Sequence, residues 1–394
     1  MQNIKNETIA IFFAAGKGSR LMPLTTYVPK PLAIAGGVRL IHHTIASVDC
    51  IIKPSKIIIV VNYLSELIIQ ALGNTTVKGT PIEFVHQTSP KGGTLDALRS
   101  AINYLAPTIE ATKNSIRYNF IVTNSDDLCG SDIFHSLANS INGTPDQALI
   151  AGYVVDDNEK IKNFGVIETD GKNNMTKIWE KPQTFISSLA SVGLLYLPSV
   201  ITKYIPPKPE GDNNGREEYI TDGLLNKYIQ DYTIKVIKFA DTGEVPAWMP
   251  ISGLADLKVV DSILNNSHNN ESDKLVFDYK VNFKEKIIQE IVQIPFGKVT
   301  SYGKIGTKVG LSGFFVGKIL SSLSPAECEH LPWARVVRAD GYLSSLKLGY
   351  KGIVQREILI SEGVKFADKK DHDGEGVVMS IVIVLLKNRN CYYL

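Results

Sequence analysis

Cysteine is scarce in this chain of 394 residues: Cys50, Cys129, Cys328 and Cys391 are scattered, with no Cys-x-x-Cys pair and no histidine spaced to share a zinc ion with them. That pattern argues against a disulfide scaffold and a structural zinc site, and makes a reducing, cytoplasmic setting the expectation. Long hydrophobic runs are missing too. The most apolar stretch, VVMSIVIVLL at 377–386, is about half of what a membrane-spanning helix needs, so it reads as a buried strand and no membrane partner is expected. The apolar run near the N-terminus is too short and too soon interrupted for a signal peptide. No internal repeat occurs, and in particular no hexapeptide β-helix repeat. Charge of either sign is not in excess, 42 basic residues standing against 40 acidic ones.

What is present is the composition of a folded protein, 44% hydrophobic and 21% charged. The length exceeds one ordinary core and predicts two domains. A polar stretch without periodicity, NNSHNNESD at 265–273, supplies the boundary. Through Asp273 the chain holds 24 basic and 28 acidic residues, and after it 18 and 12. The near-neutral total therefore conceals an acidic part and a basic part, which suits different partners. The domains expected are 1–264, a linker at 265–273, and 274–394 including the apolar stretch.

Up to about Tyr104, β-rich runs such as IAIFFAAG and KIIIVVNY alternate with helical ones such as LSELIIQAL and TLDALRSAINYL. This βαβ rhythm predicts an α/β, Rossmann-like domain with a mainly parallel sheet. The strand YNFIVTNSD ends in acidic residues, as expected where strand ends build a ligand site at the carboxyl edge of such a sheet. From Ala148 to Phe239 short strands alternate with Gly, Pro and Asn turns, the pattern of a further subregion on the same sheet. After Lys274 helices are expected at Phe283–Gln293, Tyr302–Lys308 and Phe314–Ser322.

Phe13–Leu32 reads FAAGKGSRLMPLTTYVPKPL, joining a strand to a glycine turn and then to two cations, Arg20 and Lys30. A glycine turn brings backbone N–H groups close to phosphate oxygens, and fixed cations offset the charge of a triphosphate under attack. Gly-x-Gly alone is weak evidence, since tight turns after strands often contain glycine. The whole string resembles the signature of the sugar-1-phosphate nucleotidyltransferases, Gly-x-Gly-x-Arg-Leu-x-Pro-Leu-Thr followed by Pro-Lys-Pro-Leu, and the likeness continues in order over about 260 residues.

The resemblance implies direct attack of a sugar 1-phosphate on the α-phosphorus of a nucleoside triphosphate, with Mg2+ as the metal. It assigns Ala15, Gly16, Gly18 and Arg20 to the triphosphate, Lys30 to phosphate, and Gln87, Gly92, Gly93 and Thr94 to the base. Asp126, with Asp127 beside it, is implied as metal ligand, and Gly165, Glu180 and Lys181 as holders of the sugar phosphate. One departure stands out. Many members carry Trp-x-Asp-x-Gly with a second metal-binding Asp, whereas this chain reads Trp248-Met249-Pro250-Ile251-Ser252-Gly253. Either Asp126, Asp127 and substrate phosphates suffice, or activity is weakened or lost; retained activity is the expectation.

From Ile294 the chain reads IPFGKVTSYGKIGTKVGLSGFFVGKIL, then LPWARVVRADGYL and ILISEGVKF. This order resembles the DNA-binding domain of the O6-alkylguanine DNA alkyltransferases, which implies a small winged helix-turn-helix fold and duplex DNA with alkylated guanine as partner. The family's acceptor lies in Pro-Cys-His-Arg, where this chain has Pro332-Trp333-Ala334-Arg335, so the family's repair chemistry is excluded at that position. Tryptophan there matches the alkyltransferase-like subgroup, which binds lesions without repairing them. Glu362 survives from the family's Glu-Gly and, without its histidine, is expected to serve structure.

Tyr302, Phe314, Trp333 and Arg335 are the DNA-contacting residues the likeness implies, Phe314 taking the place of an intercalating arginine. Core roles for Tyr302 and Phe314 remain the alternative. Two function classes stay open: an enzyme with an appended DNA-binding domain, and a sensor of alkylated DNA whose nucleotide-binding domain is catalytically weakened. Homo-oligomerisation is left open, as are the sugar and the base.

Overall fold

The computed structural model describes residues 4–89, 92–141, 146–208, 217–241, 246–266, 282–309, 311–339, 341, 343, 350–369 and 379–382. The chain divides into two compact units, Met1–Arg20 with Pro29–Lys280, and Leu21–Val28 with Val281–Leu394. The first unit's strands are β1 (Lys5–Ala14), β2 (Ile34–Ala35), β3 (Val38–Arg39), β4 (Lys56–Val61), β5 (Ile82–His86), β6 (Ile116–Asn124), β7 (Leu128–Cys129), β8 (Ala148–Val154), β9 (Gly165–Thr169), β10 (Met175–Glu180), β11 (Leu189–Leu197), β12 (Ile234–Phe239) and β13 (Trp248–Met249).

Nine of them form one sheet, in the order β10-β9-β11-β6-β1-β4-β5 with β8 paired to β11 and to β12, while β2 pairs with β3 and β7 with β13. The β6-β1-β4-β5 half is parallel. Beyond β6 the pairing turns antiparallel through β11, β9 and β10, so the sheet is mixed, and the parallel reading holds for its first half. The inner strands β1 and β4 bury apolar residues on both faces, as a place between helical layers requires. Ile9 and Ile11 of β1 and Ile58 and Val60 of β4 enter one core, while Ile57 and Ile59 are equally buried on the other face. The helix Gly93–Thr112 covers the first face with Leu95, Leu98, Ala101, Ile102 and Leu105, spaced for a single helical stripe.

Because β5, β4, β1 and β6 run parallel, His86, Val61, Ala14 and Asn124 all end at one edge. The segments that follow them, carrying Gln87, the glycine turn and Asp126, meet there for that reason. β13 pairs antiparallel with β7, setting Trp248 opposite Cys129 and Met249 opposite Leu128. That pairing delivers residues 250 and 251 to the same edge. The helix Leu254–Asn266 runs into the first two residues of the polar stretch 265–273, and the rest of that stretch lies outside the described residues.

The second unit contains helices Phe283–Val292, Tyr302–Val309, Gly313–Ser321, Pro325–Glu329 and Tyr350–Ser361. The first three lie within a residue or so of the helices expected from periodicity. Its strands are β14 (Thr300–Ser301), parallel to β15 (Val336–Val337), and β16 (Phe366–Lys369), antiparallel to β17 (Met379–Val382). Thus the described part of the apolar stretch 377–386 is a strand. Helices Tyr302–Val309 and Gly313–Ser321 form a close helix-turn-helix. A Cβ on Gly306 would lie 2.5 Å from the Leu311 carbonyl oxygen, and one on Gly313 would lie 2.8 Å from the Gly303 nitrogen. Ile287, Ile291, Ile305, Val316 and Val336 fill the space beneath them. Among the described residues, no helix is long and apolar enough to cross a membrane.

Candidate active site and DNA-facing surface

The glycine turn follows directly from β1. Gly18 has φ +60°, a left-handed backbone that glycine adopts without strain. A Cβ on Gly16 would meet nothing within 4 Å, so the fold itself leaves open space above that backbone. Ala15 is half-buried, and Arg20 is exposed. Lys30 differs: it begins a short 3-10 turn, Lys30–Leu32, is flanked by Pro29 and Pro31, and is only 8% exposed.

Lys30 reaches the acidic end of β6. Its Nζ lies 2.8 Å from Asp126 Oδ2 and 3.5 Å from Asp127 Oδ1. Burial disfavours the ammonium, yet the charges of Asp126 and Asp127 outweigh that and hold its pKa above the ordinary lysine value. Burial also pushes the Asp127 carboxyl up, with the Asp126 charge adding to the effect and Lys30 opposing it. Asp127 Oδ1 further accepts the backbone N–H of Ile251 at 3.2 Å. Pro250 offers no side chain that could ligate a metal, and the N–H of Ile251 beside it supports one of the two aspartates.

The expected base-side residues adjoin the start of the Gly93–Thr112 helix. Gln87 Nε2 donates to the Gly93 carbonyl oxygen at 3.0 Å. Gly93 has φ +70°, and a Cβ there would lie 2.4 Å from the Glu218 carbonyl oxygen. On Gly92 a Cβ would fall 2.3 Å from Asp96 Oδ2. These glycines therefore admit two close approaches. Asp96 accepts from Ser89 N and Thr88 Oγ1, and Glu218 bonds Gly92 and Leu95 through its backbone. Thr94 Oγ1 accepts the N–H of Ile220 at 3.1 Å, so its hydroxyl anchors the segment after Glu218.

Of the residues expected to hold the sugar phosphate, Gly165 and Glu180 pair across β9 and β10. Glu180 Oε2 accepts the Thr221 hydroxyl at 3.1 Å, and its Oε1 lies 3.5 Å from Lys181 Nζ. Burial raises the Glu180 pKa, against the lowering effects of Lys181 and Thr221. Lys181 has φ +43° and sits over the Tyr219 ring at 4.9 Å. Tyr219 in turn hydrogen-bonds Glu217.

The structure thus brings together Lys30, Asp126 and Asp127 in one cluster, Gln87, Gly92, Gly93 and Thr94 in a second, and Gly165, Glu180 and Lys181 in a third. Sequence reasoning passed over the segment 217–222, which joins the last two. Its signal is the acidic and aromatic run EEYITD, dense in polar groups immediately before apolar Gly223-Leu224-Leu225. Arg99 was missed as well. Buried at 5% exposure, it bonds both Asp96 and Glu218 and so fastens that segment to the helix.

In the second unit, Tyr302 packs partly buried against the core beneath the helix-turn-helix, and Phe314, at the start of its second helix, is 76% exposed. Phe314 is not a core residue. Trp333 is partly buried against Val299, Ala334 and Leu359. Arg335 is turned inward, with Nε and Nη2 on the Glu362 carboxylate and Nη1 on the Ile294 carbonyl oxygen at 2.6 Å. A guanidinium so engaged is a strut of the fold and is not offered to DNA. Glu362 also accepts Gly297 N at 3.2 Å, in keeping with the structural role expected of it.

Among the described residues, no cluster of three or more His, Cys, Asp or Glu could hold a metal. Asp126 and Asp127 are two convergent carboxylates, the hard oxygen donors that Mg2+ accepts when substrate phosphates and water complete its shell.

Comparison with known proteins gives two matches. The pattern of the nucleotidyl transferase family covers residues 9–254. That of the DNA-binding domain of 6-O-methylguanine DNA methyltransferase covers 282–364. The chain is 30% identical over 229 residues to the bifunctional protein GlmU of Methanococcus aeolicus, covering 58% of this chain and 49% of that protein. With the UTP–glucose-1-phosphate uridylyltransferase AglF of Haloferax volcanii it shares 28% identity, over 47% of this chain and 69% of the relative. With the mannose-1-phosphate guanylyltransferase catalytic subunit beta of Drosophila melanogaster it shares 30%, over 52% of each. The chain therefore spans about half the length of the archaeal bifunctional relatives. A crystal structure from Bacillus anthracis, a candidate glucose-1-phosphate thymidylyltransferase in complex with sucrose, superposes at TM-score 0.55 with 20% identity, over 68% of this chain and 99% of that one. At that identity the likeness speaks for the fold.

Proposed function

The chain belongs to the nucleotidyl transferase family, and we propose that it transfers a nucleotidyl group from a nucleoside triphosphate to a sugar 1-phosphate, releasing pyrophosphate. The observation that carries this reading is the meeting of Lys30 with Asp126 and Asp127 at the carboxyl edge of the sheet, beside the turn with open space at Gly16. Family membership implies a divalent metal. In this reading it is Mg2+, held by Asp126 and Asp127, and it would supply neutralisation of the triphosphate charge.

The chain's own groups do the positioning. Backbone N–H groups from Ala15 to Gly18 receive phosphate oxygens, and Arg20, exposed beside them, adds a cation. Gln87 and the backbone at Gly92 and Gly93 face the base, while Thr94 acts indirectly by holding the 217–222 segment in place. Glu180 and Lys181 orient the sugar phosphate, Lys181 offsetting its charge. Direct displacement at phosphorus needs alignment and charge neutralisation more than proton transfer. No general base is assigned. Pyrophosphate release, screened over nucleoside triphosphates and sugar 1-phosphates with Mg2+, tests the reading. Failure of every pair would remove it.

For the second unit the reading is binding of duplex DNA through Trp333, Phe314 and Tyr302 without alkyl transfer, since no thiol stands at position 333. The domain boundaries proposed are 1–264 and 274–394. A second reading draws on Pro250: a nucleotide-binding domain with weakened turnover serving a sensor of alkylated DNA. Binding of nucleotide without pyrophosphate release would favour it.

A further inference from the structure

Lys30 Nζ occupies the space between Asp126 Oδ2 and Asp127 Oδ1, at 2.8 and 3.5 Å. A Mg2+ ion held by the same two carboxylates would need the volume the ammonium now fills. Two cations that close, in a setting poorly screened by water, repel strongly. The free protein can hold the ammonium or the metal between these carboxylates, but not both.

The surroundings say which partner moves. Asp127 is fixed from behind by the Ile251 N–H at 3.2 Å, and the Lys30 backbone is fixed by its neighbouring prolines and by Ala33 N, which donates to Lys30 O at 3.0 Å. The four-carbon stem of Lys30 can swing while Asp127 and the Lys30 backbone stay in place. Buried as it is, its ammonium needs an anion wherever it goes. The Asp126 side chain is 34% exposed, against 16% for Asp127, so the cluster opens to solvent on the Asp126 side.

The geometry points to a cation exchange: Lys30 stands in for the metal in the free protein, keeping the two carboxylates together and excluding divalent ions. Phosphates of an arriving nucleotide offer the ammonium its replacement anion, and a divalent ion then takes its place between Asp126 and Asp127. Metal binding is thereby made conditional on nucleotide. The inference rests on the nucleotidyl-transfer reading for the phosphates that draw Lys30 away.

The test is Mn2+ titration followed by electron paramagnetic resonance, on the full chain without nucleotide, as wild type and as Lys30→Met, with folding checked by circular dichroism. The free Lys30→Met variant is expected to bind Mn2+ about tenfold or more tightly than free wild type, equivalent to about 1.4 kcal/mol. Equal affinities would overturn the exchange. The wild type decides alone if the variant does not fold. An α,β-methylene nucleoside triphosphate, which cannot be turned over, is expected to create a tight Mn2+ site in wild type that Asp126→Asn lacks. Stoichiometric tight Mn2+ binding by free wild type would contradict this. Pyrophosphate release is measured on the same wild-type sample. Tight metal binding with turnover intact sinks the exchange and leaves the transfer reading standing, whereas absent turnover bears on that reading separately.

Discussion

Arg335 and Glu362 form a buried two-pronged ion pair, Nε to Oε2 at 2.8 Å and Nη2 to Oε1 at 3.0 Å, with 7% and 8% of their side chains exposed. It ties the turn containing Trp333 to the end of the Tyr350–Ser361 helix. Through Gly297 N it also ties in the loop before β14.

Removing one partner strands a charge in the interior. Arg335→Met is expected to destabilise the second unit by about 3–5 kcal/mol, and Arg335→Met with Glu362→Leu by clearly less. Urea denaturation, with hydrogen exchange at Val336 and Val337 to report on this unit, measures both. A double variant as unstable as the single one would contradict the account.

Arg20→Ala tests the phosphate turn at a residue whose loss cannot unsettle the core. Loss of one preorganised charge donor typically costs ~3 kcal/mol of transition-state stabilisation, roughly a hundredfold in turnover. Thermal stability is expected to stay at the wild-type level, because Arg20 is exposed. Unchanged steady-state kinetics would remove Arg20 from the site.

His42 makes the first unit sensitive to acid. Burial chiefly, then the charges of Arg39 and His43, lower its pKa from 6.5 to about 3. The folded pKa is depressed, so the unfolded chain binds the proton first. Stability is full above pH 6.5 and falls as the pH drops towards 3, by about 1.4 kcal/mol per pH unit from this residue. His42→Gln is expected to flatten that slope between pH 6.5 and 5 in chemical denaturation. An unaltered slope would place the acid sensitivity elsewhere.

DNA binding by the second unit is expected to weaken as salt rises, because cationic contacts release counterions from phosphate. Phe314→Ala is expected to weaken binding to a duplex carrying O6-methylguanine, since exposed aromatic side chains can wedge between bases. Fluorescence anisotropy at two salt concentrations reads both effects, and mass spectrometry afterwards is expected to find no methyl group on the protein. A methylated protein would mean that a nucleophile other than residue 333 accepts the group.

What the sequence disclosed was local. The strand β1, the glycine turn and the acidic end of β6 each fall within a short run of residues, and their chemistry is visible there. The parallel half of the sheet followed from the alternation of strand and helix up to about Tyr104, while the antiparallel half is set by pairings among β9, β10 and β11 that no such alternation announces. Support for Asp127 comes from Ile251, 124 residues away, through a backbone N–H that has no sequence signature. Thr94 likewise meets Ile220 across 126 residues. Arg335 illustrates the reverse case: a basic residue in a motif resembling a DNA-binding domain reads as a DNA contact until Glu362 is seen beside it.

The central claim concerns which phosphorus is attacked. It is tested most directly by incubating the full chain with a sugar 1-phosphate, Mg2+ and nucleoside triphosphate labelled in separate samples at the α- or the γ-phosphate, with products resolved by chromatography. The account predicts that α-label appears in a nucleotide-sugar and γ-label in pyrophosphate, and that Asp126→Asn abolishes both. Transfer of γ-label to the sugar, or no labelled product from any substrate pair, would contradict it.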